Sequence, residues 1–400
     1  MRRILYVDQA EAFGGSLVVA GMLVNKLDRA AFSPSVAIAF EDEFTQRLFA
    51  SAEATYKARS ALTYTDMERL RARVDTIKWA WLRKLAGLLL SFLDVLASTK
   101  HCLDLAMLIL RKRIAVVHSN NSAEAVVAAL ITRRPVIFHL HGAFGAPVVA
   151  RHRFMFRRCS ALVAISKYVK ETAVRAGLDA SQIEIVPNGT ELPRVGAEEA
   201  AATRQRWGIE PHEPLVALVG RVVEWKGHRE FVLAAAEVHK RYPDAHFMFV
   251  GDVSDGSPRF LAELYDLARE LGLEDRLHCT GYVSNVSAHI AAANVIVHAS
   301  IEPEPFGLVI IEGMAMGRPV VASSLGAGPE IITDGVDGLL ADPRDSGMLA
   351  GAICRLLDDK NFADTIGRQA RTTVESKYRA SVMARNFERI YERVASRKRG

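Results

Sequence analysis

Short apolar runs rich in Val and Ile alternate with longer stretches of helical periodicity from one end of the 400-residue chain to the other. Such runs fit strands covered on both faces, and the helical stretches supply the crossovers that parallel pairing requires. In the first half, "RILYVD" (3–8), "SVAIAF" (35–40), "IAVVHS" (114–119), "PVIFHL" (135–140), "ALVAIS" (161–166) and "IEIVPN" (183–188) predict strands. The pattern lapses between 188 and 214 into a charged, Ala-rich passage with prolines, read here as an interdomain linker. A second set follows: "LVALVG" (215–220), "HFMFVG" (246–251), "LHCTGY" (277–282), "NVIVHA" (294–299) and "RPVVAS" (318–323). The chain is too long for one ordinary core, so the expected fold is α/β, with two doubly wound domains. Ligands of such sheets bind beyond the carboxyl ends of the strands, which is where chemistry is sought.

Four stretches lie at such ends. After the first strand, "QAEAFGGS" puts Gly14 and Gly15 ahead of a helix that Ser16 would cap, a setting for a bound anion and equally for a plain turn. It matches neither the G-x-G-x-x-G fingerprint nor G-x-x-x-x-G-K-[ST], which argues against a dehydrogenase and a P-loop NTPase. "GRVVEWKGH" places Arg221 and Lys226 in one loop before a helix, where two cations and backbone N–H groups converge as on a diphosphate; a solvated basic loop has the same spacing. In "EPEPFGLVIIEGMAMG", prolines 303 and 305 hold Glu304 in an extended turn, and Glu312 falls in the second turn of a buried helix stopped by Gly317 and Pro319. A carboxylate among Val, Ile and Met needs a hydrogen-bonding partner, and either a structural salt bridge or a ligand hydroxyl answers that need. His118, His139 and His141 also cluster at strand ends, but no Cys or Asp spacing accompanies them to make a zinc site. His139 and His141 share one face of a strand, so one is expected to pack and the other to face a ligand.

Half of the residues are hydrophobic and 24% are charged, the composition of a folded globular protein. The four scattered cysteines show no C-x-x-C pairing, which fits a reducing cytoplasm, and the N-terminus reads as a first strand rather than a signal peptide. The net charge of +5 is regional: residues 68–113 hold ten Lys or Arg against four Asp or Glu. No RNA- or DNA-binding motif accompanies it, so nucleic acid is not an expected partner.

Taken in order, the glycine pair, "HG" at 141–142, "VAISKYV", "VPNGTE", "GRVVEWKG", "EPEPFGLVIIEGMAMGRPVVAS", "GPEII" and "DGVDGLLADP" resemble the retaining, family-four-type glycosyltransferases of the GT-B fold along nearly the whole chain. The resemblance implies two Rossmann-like domains facing an interdomain cleft: an acceptor-side domain at 1–190 and a nucleotide-sugar domain at 191–375, with a last helix, about 376–400, packing back on the first. It implies that Arg221 and Lys226 bind the donor diphosphate and stabilise the leaving group. Glu304 would contact the transferred sugar, N–H groups from Phe306, Gly307, Leu308 and Val309 would meet hydroxyls and phosphate, and Glu312 would accept from the ribose. Gly14 and Gly15 would let the first loop approach the donor, and His141 would stand near the sugar. No cofactor is expected, and no D-x-D follows a strand to hold a metal. Departures are Glu191, where an Asp is usual, and "SLGAGPE", where a Gly-Gly pair is commoner. The rivals are another GT-B activity, an epimerase or a phosphorylase, and a catalytically silent scaffold.

The stretch 77–113 exceeds what a crossover requires. Its apolar run, broken by Ser91 and Asp94, is too short and polar to span a bilayer. It fits an interfacial segment with Trp79 and Trp81 at headgroup depth and Lys78, Arg83 and Lys84 meeting anionic lipid, and equally a helical hairpin packed on the first domain. The acceptor expected is therefore a glycan or lipid-linked precursor, and the location cytoplasmic or peripheral on the inner face of a membrane.

Overall fold

A computed structural model describes residues 1–9, 14–58, 64–76, 78–120, 122–253 and 258–396. Part of the "QAEAFGGS" loop (10–13), Ile77 and the last four residues of the 376–400 segment lie outside the described residues. The chain divides into two compact units, Met1–Pro187 with Met383–Gly400, and Asn188–Val382. The division reading from the motifs stood at 190 and 376.

The first unit is built on a parallel sheet of β1 (Arg2–Asp8), β2 (Phe32–Ile38), β3 (Ala54–Lys57), β4 (Val116–Asn120), β5 (Val136–Leu140), β6 (Ala161–Ala164) and β7 (Ile183–Ile185), in the order β3-β2-β1-β4-β5-β6-β7. The second carries β8 (Leu215–Val219), β9 (His246–Val250), β10 (Leu277–Cys279), β11 (Val295–His298), β12 (Val320–Ser323) and β13 (Leu339–Ala341), in the order β10-β9-β8-β11-β12-β13 and again parallel. Strand order reverses between β1 and β4 in one sheet and between β8 and β11 in the other. Such a reversal splays the crossovers to opposite faces and opens a crevice at the carboxyl ends of the two strands beside it.

Burial explains why the apolar runs were readable. β1, β4, β5, β8, β9 and β11 sit inside their sheets, with Ile4, Val117, Ile137, Ala217, Phe247 and Ile296 excluded from solvent. The two strands without a sequence signal, β3 and β13, are edge strands of four and three residues, the first reading "ATYK" with no Val or Ile and the second "LLA" between two turns. β2 begins three residues ahead of the expected 35 because Pro34, which donates no ladder bond, is accommodated within the strand, its carbonyl accepting from Glu53 N–H at 2.8 Å.

Three expectations are corrected. The helix after β1 begins at Gly15 with Gly14 as its N-cap and no side-chain cap, so Ser16 lies inside the first turn instead of capping it. The 188–214 passage is not a bare linker: it belongs to the second unit and contains the helix Ala197–Arg206. Arg204 of that helix donates to Ala292 O at 2.9 Å and Glu210 O at 2.8 Å, ties that a charged, Ala-rich pattern does not advertise. The hairpin alternative for 77–113 is also overturned, since Ala80–Arg111 is one uninterrupted helix with no proline to break it.

Candidate active site

In the second unit the loops after β8 and β11 are locked together at the reversal point. Gly227 adopts φ 74°, and a Cβ there would stand 1.9 Å from the Ala299 carbonyl oxygen, so only glycine lets the β8 loop lie against the end of β11. Ile301 N–H donates to Trp225 O at 2.9 Å across the same seam. This approach carries Lys226 onto Glu304. The Lys226 ammonium donates to Glu304 Oε1 and sits 4.5 Å above the centre of the Trp225 ring.

Glu304 is 8% exposed and more heavily bonded than its motif suggested. Oε1 also accepts from Ser300 Oγ and lies 3.0 Å from His298 Nε2. Burial acts to raise this carboxyl, but His298 and Lys226 outweigh it and hold the group well below the usual carboxylate range, so Glu304 is an anion at neutral pH. Because all three partners crowd Oε1, Oε2 is the oxygen left for a ligand hydroxyl. The backbone at Glu304 is braced from behind: Gly326 (φ 63°) packs so closely that a Cβ would stand 2.4 Å from Glu304 O, and Ala327 N–H donates to that oxygen at 3.0 Å. The "SLGAGPE" loop, which departs from the commoner Gly-Gly pattern, is thus the buttress of the site.

The turn runs into the helix Leu308–Ala315, whose N-cap Gly307 provides no side-chain acceptor, leaving the N–H groups of Leu308 and Val309 without an intrahelical acceptor. Phe306 contributes packing, its ring 6.1 Å from Tyr378. Glu312 is half-buried in the second turn, has no hydrogen-bond partner among the described residues, and has its carboxyl raised by burial. Of the two answers open for this carboxylate, the salt bridge is absent among the described residues. Arg221 is exposed and likewise unpartnered among the described residues. The structure therefore brings Lys226 to Glu304, and sets Glu312 one helical turn past the uncapped helix start.

Gly14, Gly15 and His141 belong to the first unit. Gly14 and Gly15 are exposed, and a Cβ at Gly14 would meet nothing within 4 Å among the described residues. His141, half-buried, lies 3.3 Å from Asn120 Oδ1 through Nε2, and Asn120 Nδ2 donates to Asp8 Oδ2 at 3.2 Å. His139 is the packed member of the pair and is 1% exposed. His118 Nε2 is 3.2 Å from His139 Nδ1, and His118 Nδ1 is 2.7 Å from Tyr391 OH, which in turn bonds Tyr6 OH. Burial pushes His118 and His141 down to about 3 and His139 well below its ordinary value, so the cluster is neutral. Among the described residues no group of three or more His, Cys, Asp or Glu is placed to hold a metal ion.

His298, Ser300 and Trp225 escaped the motif reading. His298 ends β11 and Ser300 follows it by two, so the strand-end rule alone was signal enough to single them out.

Two parallel-sheet units of this kind, each with one strand-order reversal, fit the GT-B fold. The Anabaena protein HepE, crystallised with UDP-glucose, superposes with a TM-score of 0.79 at 23% identity over 98% of this chain and all of that one. The chain belongs to the group 1, family 4-type glycosyltransferases: residues 14–194 match the model described as Glycosyltransferase Family 4, and residues 213–359 the model described as Glycosyl transferases group 1. It is 32% identical to alpha-D-kanosaminyltransferase of Streptomyces kanamyceticus over 48% of this chain and 49% of that protein. It is 30% identical to the GDP-mannose-dependent alpha-(1-6)-phosphatidylinositol monomannoside mannosyltransferase of Mycobacterium tuberculosis over 55% of this chain and 58% of the relative. The chain thus matches about half the length of these curated relatives.

Proposed function

We propose that the protein transfers a sugar from a nucleoside diphosphate sugar to a glycan or lipid-linked acceptor, with retention of anomeric configuration and without a metal ion. The observation that carries this reading is the Lys226–Glu304 pair beside an uncapped helix start. An ammonium has three protons; Glu304 takes one and fixes its position, and a diphosphate oxygen would accept from the others. Arg221 adds a second, unpaired cation. Together with the N–H groups of Leu308 and Val309 they would stabilise the charge that grows on the leaving nucleoside diphosphate, which is the largest barrier-lowering effect available here. Glu304 Oε2 would orient a hydroxyl of the transferred sugar, as a positioning anion and not as a covalent nucleophile. Glu312, a carboxylate with no partner of its own, would accept from the ribose hydroxyls. Gly14, Gly15 and His141 would serve the same reaction from the first unit, the glycines by open approach to the donor and His141 beside the sugar.

HepE was crystallised with UDP-glucose and the M. tuberculosis relative is GDP-mannose-dependent, so UDP-glucose and GDP-mannose head the panel of donors, with ADP-sugars behind them. The acceptor is an envelope glycan precursor at the cytoplasmic face of a membrane, where the enzyme works as a peripheral protein. The test is a transfer assay over that panel, run with and without EDTA, with the anomeric configuration of the product read by NMR. Retention, nucleoside diphosphate release and indifference to EDTA are expected. Isomerised donor, or turnover that needs inorganic phosphate, would contradict the reading.

A further inference from the structure

At the first unit's reversal point β1, β4 and β5 lie side by side, and their registers set Asp8 opposite Asn120 and Asn120 opposite His139. Residues two apart share a face of a strand, so Tyr6 with Asp8, His118 with Asn120, and His139 rise from one side of the sheet. The C-terminal segment closes the inner rung, where Tyr391 OH bonds both Tyr6 and His118. The outer rung is different. It runs from Asp8 through Asn120 to His141, just past β5, and ends at a half-buried ring.

Hydrogen-bond chemistry gives that outer rung a direction. Asp8 and Asn120 are 4% and 3% exposed, so their polar atoms are satisfied where they stand. A carboxylate accepts, whereas an amide has one donor end and one acceptor end. Asn120 Nδ2 donates to Asp8 Oδ2 at 3.2 Å, which turns Oδ1 toward His141 Nε2, 3.3 Å away. An amide oxygen cannot donate, so Nε2 carries the hydrogen. Burial keeps the His141 ring neutral, and a neutral imidazole has one N–H, which leaves a lone pair on Nδ1. Nδ1 has no hydrogen-bond partner among the described residues, and the ring packs against that of His139 with centroids 4.0 Å apart. A buried Asp–Asn pair with a structural role alone would be indifferent to the tautomer of that ring.

We infer that Asp8 and Asn120 are positioning residues that fix His141 as a hydrogen-bond acceptor, its Nδ1 accepting from a hydroxyl of the transferred sugar. The sugar rests on the function proposed above; the fixed tautomer rests on the Asp8–Asn120–His141 geometry alone. The group recognised is an uncharged hydroxyl that donates, the complement of the anion-binding loops of the second unit.

The first arm of the experiment is nitrogen NMR of the histidine rings in the full chain without ligand, with the His141 signals assigned by their loss in His141→Gln. The wild type should hold its proton on Nε2. Asp8→Leu, which cannot orient the amide, and Asn120→Leu, which removes the acceptor, should each turn this single form into a mixture of tautomers; circular dichroism selects the variant that folds. A wild-type proton on Nδ1, or a single Nε2–H form kept in the folded variant, would overturn the positioning role. The second arm compares transfer from UDP-glucose or GDP-mannose with transfer from donors in which each sugar hydroxyl in turn is replaced by fluorine, which accepts but cannot donate. At one position the wild type should lose about tenfold in kcat/KM, the equivalent of one hydrogen bond, and the folded variant about threefold or less. The inductive effect of fluorine is common to both enzymes and cancels in that comparison. Fluorine losses equal in the two enzymes at every position would overturn the hydroxyl contact. No transfer from any donor would overturn the proposed function and the hydroxyl contact with it, while the ring tautomer still decides the role of Asp8 and Asn120.

Discussion

Each sheet reverses its strand order once, and each reversal point gathers buried titratable side chains, yet the two are built on opposite electrostatic plans. Beside β8 and β11, Glu304 is kept ionised by Lys226 and His298. Beside β1 and β4, His118 and His139 are kept neutral and share protons with Tyr6 and Tyr391. In that first cluster Phe387 lies against both histidine rings, with centroids 5.0 and 4.9 Å away, so the returning C-terminal segment is docked by ring packing and neutral hydrogen bonds. A low-dielectric pocket tolerates an ion only where a counter-ion is fixed beside it, and otherwise it selects the neutral form. The difference teaches which cluster is prepared for a charged ligand: the one that already holds charge in place, with Arg221 on the same β8 loop as Lys226 and unpaired among the described residues.

The largest effect is expected from breaking the charged plan. Lys226→Ala leaves Glu304 buried against His298 and Ser300 without its cation, and should lower transfer by roughly 10²–10³-fold, the usual loss when one transition-state donor is removed. Stability should drop as well, by about 3–5 kcal/mol if the carboxylate stays ionised. A steady-state assay and a denaturant titration read both; a variant within twofold of wild type in turnover would mean that the pair is structural only.

Acid separates the two plans. His118, held at about 3 against an ordinary 6.5, takes up a proton only on unfolding, so it favours the unfolded chain increasingly as pH falls below 6.5. The slope is about 1.4 kcal/mol per pH unit for each such histidine. Glu304 works the other way: its depressed value contributes stability that is complete above its ordinary 4.5 and is lost only as pH falls further. Between pH 6.5 and 5, then, Glu304→Gln should leave the slope of stability against pH unchanged and His118→Asn should flatten it. His139 and His141 of the same cluster keep their share of the slope in either variant, as do His228 and His278 of the second unit, these last two pushed to about 4, so the flattening is that of one histidine. Denaturant midpoints across that range check this, and an unchanged slope in His118→Asn would show that the histidine cluster is not held neutral.

A smaller effect is expected at His298. Its Nε2 contact fixes the Oε1 side of Glu304, so His298→Asn should cost about tenfold in kcat/KM, the equivalent of one hydrogen bond to a charged group. The loss should fall on kcat, with donor affinity held, because Lys226 and Arg221 are untouched. A loss confined to donor KM would place His298 in binding instead.

The interior strands were legible because parallel strands covered on both faces are written as unbroken Val and Ile runs, as in "LVALVG" and "NVIVHA". β3 and β13 were not, since "ATYK" holds no Val or Ile and "LLA" is three residues set between the turns "DG" and "DP". Glu304, Glu312, Arg221 and Lys226 were legible through spacing and strand-end position. What was hidden for a physical reason is the pairing of Glu304 with Lys226: they meet because Gly227 lets two loops touch, and a long-range contact of that kind has no local signature, whereas His298 and Ser300 stand at the same strand end as Glu304 and lay within reach of the strand-end rule. The exposed stripe of the Ala80–Arg111 helix was visible as an apolar run, but only the fold shows which residues the first unit leaves uncovered.

The central claim is that the second unit's crevice grips a nucleoside diphosphate sugar. Isothermal titration of the full chain in EDTA, with UDP-glucose, GDP-mannose and an ADP-sugar, tests it most directly. One donor should bind the wild type, and Arg221→Ala and Glu312→Gln should each weaken that binding by about tenfold or more, the loss of one charge-assisted hydrogen bond. Absence of binding by every donor, or binding indifferent to both substitutions, would contradict it.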